Sequence, residues 1–316
     1  MKKVSIIVPL YNKISFLKKG LLSVENQTYR NIEVIIIDDG STDGSLEYAR
    51  KIFSKDKRFV ILQQQHSGVS SARNIGLKKA NGDYVVFFDA DDELKLNYIE
   101  ELVNNYKKCQ LVVSGLITRD YKTGNILNNY RLIPSLFDKV QYNRIFNKQN
   151  YTIFALPVCK LFNLNVIREN NLEFDNQQFG EDSIFVLNYL GLIKKIRVID
   201  YSGYINNIIP GTLSRRYVLN IDSQLINILH TLKTNFPLLD SESWSFMLCR
   251  SIKLSLINAF KLGKKDFVLE CKHLKSTPPF CDIQIRNSLG LNNCVLIILL
   301  QLRMYSILYK IFSLFV

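Results

Sequence analysis

Four short apolar runs recur along the front of the chain: VSIIV (Val4–Val8), VIII (Val34–Ile37), FVIL (Phe59–Leu62) and YVVFF (Tyr84–Phe88). They are rich in Val, Ile and Phe and almost continuous, the pattern of strands covered on both faces. Between them apolar residues return at helical spacing: Phe16, Leu17, Leu21 and Leu22, then Leu46 to Phe53, then Ala72, Ile75, Leu77 and Ala80. Strand and helix alternating at this rhythm predict right-handed βαβ units and a parallel sheet.

Beyond Leu94 the rhythm loosens. A helix is expected over Lys95–Lys107, a strand over Leu111–Thr118, and a hairpin over YKTGN. An Asn-rich polar stretch then leads to a helical segment around Pro157–Asn170, the phrase FGEDSIF (Phe179–Phe185), and a strand near Arg197–Tyr201. From Tyr217 the periodicity is helical almost throughout. These readings divide the chain into residues 1–215 and a helical region, 216–316. The first part subdivides into 1–115, where the βαβ rhythm runs, and 116–215.

Each of the four strands runs straight into a polar cluster: PLYN (Pro9–Asn12), DDGSTDGS (Asp38–Ser45), QQQHSGVSSARN (Gln63–Asn74) and DADDE (Asp89–Glu93). In an open parallel sheet the carboxyl ends of the strands form the ligand crevice. Four clusters at one edge describe a site rather than four ordinary loops.

DADDE crowds like charges at the end of a buried strand, which demands a positive partner. Asp89 and Asp91, one residue apart, can turn together toward a hard divalent cation, and oxygen-only ligation suits Mg²⁺ or Mn²⁺ rather than zinc. Asp39 can accept hydrogen bonds from the ring N–H of a nucleobase, whereas Asp43 is expected to cap the helix that begins near Gly44. The helix start after HSG and the guanidinium fork of Arg73 suit phosphate oxygens. His66 is read as a loop histidine without function.

The chain has 316 residues, 41 Lys and Arg against 28 Asp and Glu, and a formal charge of +13. That excess implies an anionic partner: nucleic acid, a phosphorylated small molecule or an acidic membrane face. Nucleic acid accounts for the charge but not for the acidic crevice, and is set aside. The six cysteines form no CxxC pair and no zinc-like spacing, so buried free thiols in a reducing compartment are expected. MKKVSIIVPLYN reads as a first strand rather than a signal peptide, which predicts a cytoplasmic protein. The tail CVLIILLQLRMYSILYKIFSLFV (Cys294–Val316) is apolar, but Gln301, Arg303 and Lys310 interrupt it. Arg303, Ser306 and Lys310 recur at helical spacing, which suits an interfacial helix with one basic face; a buried core or dimer helix is the alternative. Over 251–316 nine basic residues (253, 261, 264, 265, 272, 275, 286, 303, 310) face three acids (266, 270, 282), a bias that favours an anionic leaflet.

PLYN, DDGSTDGS, SGVSSARNIGL and FFDADDE, in this order and spacing, resemble the family 2 glycosyltransferases. The resemblance covers residues 3–115 and extends through FGEDSIF to about residue 215. It implies an α/β, Rossmann-like nucleotide-diphospho-sugar transferase fold with a mixed, mostly parallel sheet, followed here by the helical C-terminal region. By matching motif, Pro9, Tyr11 and Asp39 would hold the base and ribose, and Arg73 the diphosphate. Asp89 and Asp91 would form the metal-binding DxD, and Asp92 would touch the donor sugar or the metal's shell. FGEDSIF resembles the family's ED motif, which implies Asp182 as general base beside Glu181. An aspartate of ordinary pKa, about 3.9, is ionised near neutral pH as a base must be.

The resemblance further implies inversion at the anomeric carbon and a nucleotide-diphospho-sugar donor, UDP-linked, with Mn²⁺ or Mg²⁺. It points to a saccharide acceptor on a lipid carrier such as a polyprenyl diphosphate, as in capsule or exopolysaccharide assembly, on the inner face of the cell membrane. One departure stands out. The segment Tyr204–Tyr217 lacks the histidine found there in many relatives, and its Pro-Gly-Thr and Arg215–Arg216 suggest a phosphate-binding lid. Among rivals, a haloacid-dehalogenase-like phosphatase is disfavoured by Glu93 and the lack of a later GDxxxD phrase. A nucleotidylyltransferase would need a Gly-rich signature near the first strand. A catalytically silent nucleotide-sugar-binding subunit remains the alternative, and a homodimer is compatible with the tail.

Overall fold

The first apolar run becomes the strand around which the rest of the sheet is laid. The computed structural model describes residues 1–147, 150–209, 217–284 and 289–315. They cluster into two units: Met1–Tyr142, Thr152–Asn176 and Glu181–Pro210 in one, and Asn143–Tyr151, Gln177–Gly180 and Gly211–Val316 in the other.

The first unit opens with β1 (Val4–Leu10), α1 (Ile14–Glu25), β2 (Ile32–Asp38), α2 (Ser45–Phe53), β3 (Phe59–Gln63), α3 (Val69–Lys79) and β4 (Tyr84–Phe87). These strands pair in parallel in the order β3-β2-β1-β4. Every residue of β2 is buried, as its unbroken hydrophobicity requires, whereas the edge strand β3 is only partly covered. The chain leaves β1 toward β2 and β3 on one side and returns to β4 on the other. The carboxyl ends of β1 and β4 therefore flank a topological switch point, where open α/β sheets bind ligands. PLYN and DADDE lie there.

A mixed half follows: β5 (Glu93–Leu94), α4 (Tyr98–Asn104), β6 (Leu111–Asp120), β7 (Ile126–Tyr130), β8 (Ser135–Asp138), a helical turn α5 (Tyr151–Phe154), β9 (Lys160–Asn163), α6 (Leu164–Glu169), α7 (Glu181–Leu192) and β10 (Lys195–Ile208). β6 and β7 form the hairpin expected over YKTGN, with Gly124 at φ +74°. One expectation needed correction, and another was met by a longer element. The segment read as helical around Pro157–Asn170 is half strand, because β9 wedges antiparallel between β4 and β6, and only Leu164 onward is helix. The strand near Arg197–Tyr201 is a fourteen-residue strand, parallel to β6 and shifted in register around Ser202. Lys160 on β9 is buried, and its ammonium donates to the carbonyls of Ile153, Leu156 and Val158. Burial lowers its pKa to about 7.

In the second unit the helices are α8 (Ile221–Asn235), α9 (Ser241–Phe260), α10 (Lys264–Ser276), α11 (Leu291–Gln301) and α12 (Tyr305–Phe315). Phe260 and Phe267 pack against Tyr309 and Phe312 of α12. The apolar tail, expected as one helix, is two: Arg303 at φ +59° breaks it, so Arg303 does not share a helical face with Ser306 and Lys310. Among the described residues no helix is long and apolar enough to cross a membrane. Cys109, Cys159, Cys249 and Cys271 are buried thiols.

α1 lies so close to the DADDE loop that a Cβ on Gly20 would sit 2.6 Å from the carbonyl oxygen of Ala90 and 2.8 Å from that of Asp92. Both obstacles are backbone. Gly20→Ala should therefore cost about 1–3 kcal/mol despite the better helix propensity of alanine, read as a lower urea midpoint at unchanged m; a midpoint at or above wild type refutes the close approach.

Candidate active site

The crevice is built from turns that hold one another. After β1, Asn12 donates its N–H to Ser41 Oγ (3.0 Å) and accepts at Oδ1 from Thr42 N (2.8 Å). Lys13 N donates to Ser45 Oγ (2.9 Å) and Ile14 N to Asp43 Oδ2 (3.0 Å). The first N–H groups at the start of α1 are thus satisfied by the neighbouring turn rather than by α1's own cap residue. Asp43 also accepts from Ser45 N at 3.0 Å, the start of α2, as expected of a capping residue.

Asp39 is 3% exposed. Its carboxylate accepts from Ser67 N (2.7 Å), Gly68 N (3.0 Å) and Gln64 Nε2 (2.6 Å), and lies 2.9 Å from His66 Nδ1. The residue expected at a base is thus the post of the third loop. His66, read as functionless, is bound to it and stacks on Tyr11 with ring centroids 4.2 Å apart. Tyr11 is exposed, and Pro9 beside it is half-buried. A cleft of about 440 Å³, lined by Gly40, Gln63, Gln64, Gln65 and His66, opens beside Asp39. That volume is within the range of small-molecule sites.

Arg73, in the second turn of α3, is equally buried. Its guanidinium donates to Asp182 Oδ1 at 2.5 Å and to Asp89 Oδ1 at 3.1 Å. Its face covers the ring of Phe174, 5.1 Å from the centroid. Asn74 holds the main chain of Phe174 in both directions, at 2.9 and 2.8 Å. Arg73 Nε finds no acceptor among the described residues. The group expected at a diphosphate thus also joins the acid of FGEDSIF to the first acid of DADDE, 93 positions apart (182 − 89).

The three aspartates of DADDE have three different fates. Asp89 is 36% exposed and leans on Arg73. Asp91 pairs with the ammonium of Lys13. Asp92, expected near the donor sugar or metal shell, is only 1% exposed, and its oxygens accept from Tyr204 OH (2.7 Å), Asn206 Nδ2 (3.1 Å) and Asn207 N (2.9 Å). Here it anchors the loop to β10 instead of facing the crevice. Burial, reinforced by Asp89 and Asp91, holds its carboxyl well above the usual range. Tyr204 OH also accepts from Asp89 N at 3.2 Å, so one hydroxyl braces both ends of the loop.

Glu181 and Asp182 open α7, where carboxylates favour the helix dipole. Burial raises Asp182 above the ordinary carboxylate range, with Asp89 adding to the rise and Arg73 opposing it. This corrects the expectation of an unperturbed group: Asp182 is a stronger base than a solvated aspartate. Burial and then Asp182 raise Glu181 as well.

Asp89 and Asp91 offer the hard oxygen donors that Mg²⁺ or Mn²⁺ prefers. Among the described residues no three His, Cys, Asp or Glu side chains converge, so such an ion would complete its shell from ligand oxygens. Arg215 and Arg216 of the expected lid lie outside the described residues. Sequence reading missed Lys13, His66, Gln64 and the Tyr204–Asn207 brace. Lys13 had a signal, being the cation next to PLYN; the brace had none, since nothing local places β10 beside DADDE.

A family model described as "Glycosyl transferase family 2" matches residues 5–170. The glycosyltransferase GlyA of Streptococcus pneumoniae serotype 4 is 33% identical over 224 residues, 67% of this chain but only 32% of that protein. Among solved structures, residues 1–349 of TarS from S. aureus, in complex with UDP-GlcNAc, align at TM-score 0.72 and 17% identity, covering 96% of this chain and 88% of that one. The mannosyltransferase PcManGT from Pyrobaculum calidifontis, in complex with GDP-Man and Mn²⁺, aligns at TM-score 0.53 and 14% identity over 99% and 87%.

Removing the shared cation should leave Asp89 and Asp182 unpaired. Arg73→Gln is expected to lose about 3 kcal/mol, the low end for a broken buried pair because both acids keep some water. Without Arg73 the Asp182 carboxyl rises further above its ordinary range, so the deficit widens as pH increases and narrows as that acid protonates. Urea unfolding at about pH 5 and about pH 8 checks the sign; an equal deficit at both contradicts the ion-pair account.

Proposed function

Because the chain belongs to glycosyl transferase family 2, we propose that it transfers a sugar, with inversion, from a UDP-linked nucleotide-diphospho-sugar to a saccharide acceptor on a lipid carrier. The observation that carries this reading is Arg73, which holds the acid of FGEDSIF and the first acid of DADDE on one guanidinium. The base and the acid that would hold the leaving group's metal must both be fixed about one anomeric carbon, and a shared cation keeps them at a fixed separation.

Asp182 accepts the proton of the acceptor hydroxyl as that oxygen bonds to C1. The C1–O bond to the diphosphate breaks, and its electron pair leaves with UDP. The raised pKa of Asp182 suits proton capture. Pro9, Tyr11 and Asp39 hold the base and ribose, and the cleft beside Asp39 supports that placement. Arg73 opposes charge on the diphosphate. A divalent cation, Mn²⁺ or Mg²⁺, held by Asp89 and Asp91 would neutralise charge on the leaving diphosphate. UDP-GlcNAc in the TarS complex and Mn²⁺ in the mannosyltransferase complex support UDP and a divalent cation here. Residues 116–215 serve the acceptor, and the work is done in the cytoplasm.

We also place the chain on the inner face of the membrane, at capsule or exopolysaccharide assembly. Support comes from α11, where Leu291, Val295 and Ile298 follow one another at helical spacing and are all exposed, as is Leu302 just past its end, and from the basic excess of residues 251–316. An apolar stripe together with a basic excess in the same region would give the two signals that stable peripheral binding needs.

A panel of nucleotide sugars, with and without Mn²⁺, should show one donor consumed in the presence of metal. Asp182→Asn should lower transfer about 10²–10⁴-fold while UDP binding, read by calorimetry, survives. If no donor is consumed, the silent-subunit reading takes over. For the membrane, flotation with phosphatidylglycerol vesicles should carry the protein, and Ile298→Glu with Leu302→Glu should abolish it. Unchanged flotation, or an apolar-stripe dimer in solution, rejects that attachment.

A further inference from the structure

Asp89 and Asp91 already have protein counter-ions, and the two are not equivalent. Arg73 is 3% exposed, stacked on Phe174 and committed to Asp182 as well as Asp89. It is fixed. Lys13 meets Asp91 from a side chain that is about 29% exposed, with no second acid on its ammonium among the described residues. Its main chain is pinned by the hydrogen bonds of Asn12, Lys13 and Ile14 to the DDGSTDGS turn, so only its flexible four-carbon stem is free to swing. An ammonium is a compact point charge without the planar fork that locks Arg73.

We infer that Lys13 is a displaceable counter-ion, which neutralises Asp91 when no divalent cation is bound and is handed to the donor's diphosphate when a cation takes its place. The inference rests on the site reading above, since it takes Asp89 and Asp91 as the cation's ligands. A divalent ion and an ammonium on one carboxylate repel each other, so an ion bound by Asp91 loosens the ammonium's hold. Once displaced, Lys13 remains tethered at the carboxyl end of β1, beside DADDE, where the donor brings the nearest new anion. Metal and nucleotide binding thereby become coupled: Lys13 opposes the ion alone and favours the nucleotide once the ion is in.

The two effects have opposite signs, which no merely structural role would produce. In Lys13→Met, Mn²⁺ alone, followed by the paramagnetic resonance of the free ion, should bind about tenfold more tightly than in wild type. UDP at saturating Mn²⁺, followed by calorimetry, should bind about tenfold more weakly. Lys13→Arg keeps the charge but adds a fork that can lock on Asp91, so Mn²⁺ alone should bind no more tightly than in wild type. Lys13→Gln repeats the test if the Met variant does not fold, as judged by circular-dichroism melting. Both shifts together support the handover; both affinities falling, or either one unchanged, overturns it. Wild type that takes up no Mn²⁺ even with UDP overturns the metal-site reading itself, a separate outcome from failure of the Lys13 variants alone.

Discussion

The candidate site depends on one buried cation. Arg73 sits where water cannot screen it and holds Asp89 and Asp182 at hydrogen-bond distance. Without it, acids from two distant stretches of chain would crowd into a low-dielectric space, which protonation or unfolding would relieve. With it, their separation is set by the width of a rigid guanidinium rather than by loop flexibility. Phe174 covers one face of that group, and Asn74, the next residue along the chain, fixes Phe174 by its main chain. Two adjacent residues of α3 thus build both the cation and the wall behind it.

The same economy runs through the surrounding turns. Each spends its carboxylate or hydroxyl oxygens on the unsatisfied N–H groups of the next. Asp43 and Ser45 serve the start of α1, Asp39 serves the residues before α3, and Asp92 serves β10. Backbone donors at a sheet edge need partners, and here those partners are the polar clusters themselves. The crevice is therefore a wall of mutually braced loops, with Asp89, Asp91, Tyr11 and His66 left comparatively accessible. Lys13 stands apart from the braced set, because its backbone is fixed while its charge is free to move.

Some of this was legible in the residues. The apolar runs marked β1 to β4 closely, since strands buried on both faces have little choice of composition. The polar clusters after them marked the crevice edge, and the clustered acids showed that a positive charge had to be present. The sequence was less informative wherever a segment's state depends on distant neighbours. Pro157–Asn170 read as helix because its apolar spacing is ambiguous, and only the gap between β4 and β6 turns its middle into β9. The tail read as one helix because its composition is uniform, and a single left-handed residue divides it.

By itself the sequence determined the order of the first four strands and the helices between them, the edge at which the polar residues gather, and the kind of chemistry that carboxylates and guanidinium groups allow there. It did so because hydrophobic period and residue type are local properties. Only the tertiary structure decided which acid faces which cation. Asp92 went to Tyr204 and Asn207, Asp91 to Lys13, and Asp89 to the guanidinium that also holds Asp182. Three neighbouring acids met three different fates because electrostatic partners are chosen by distance in space, and strand pairing sets that distance between residues far apart along the chain.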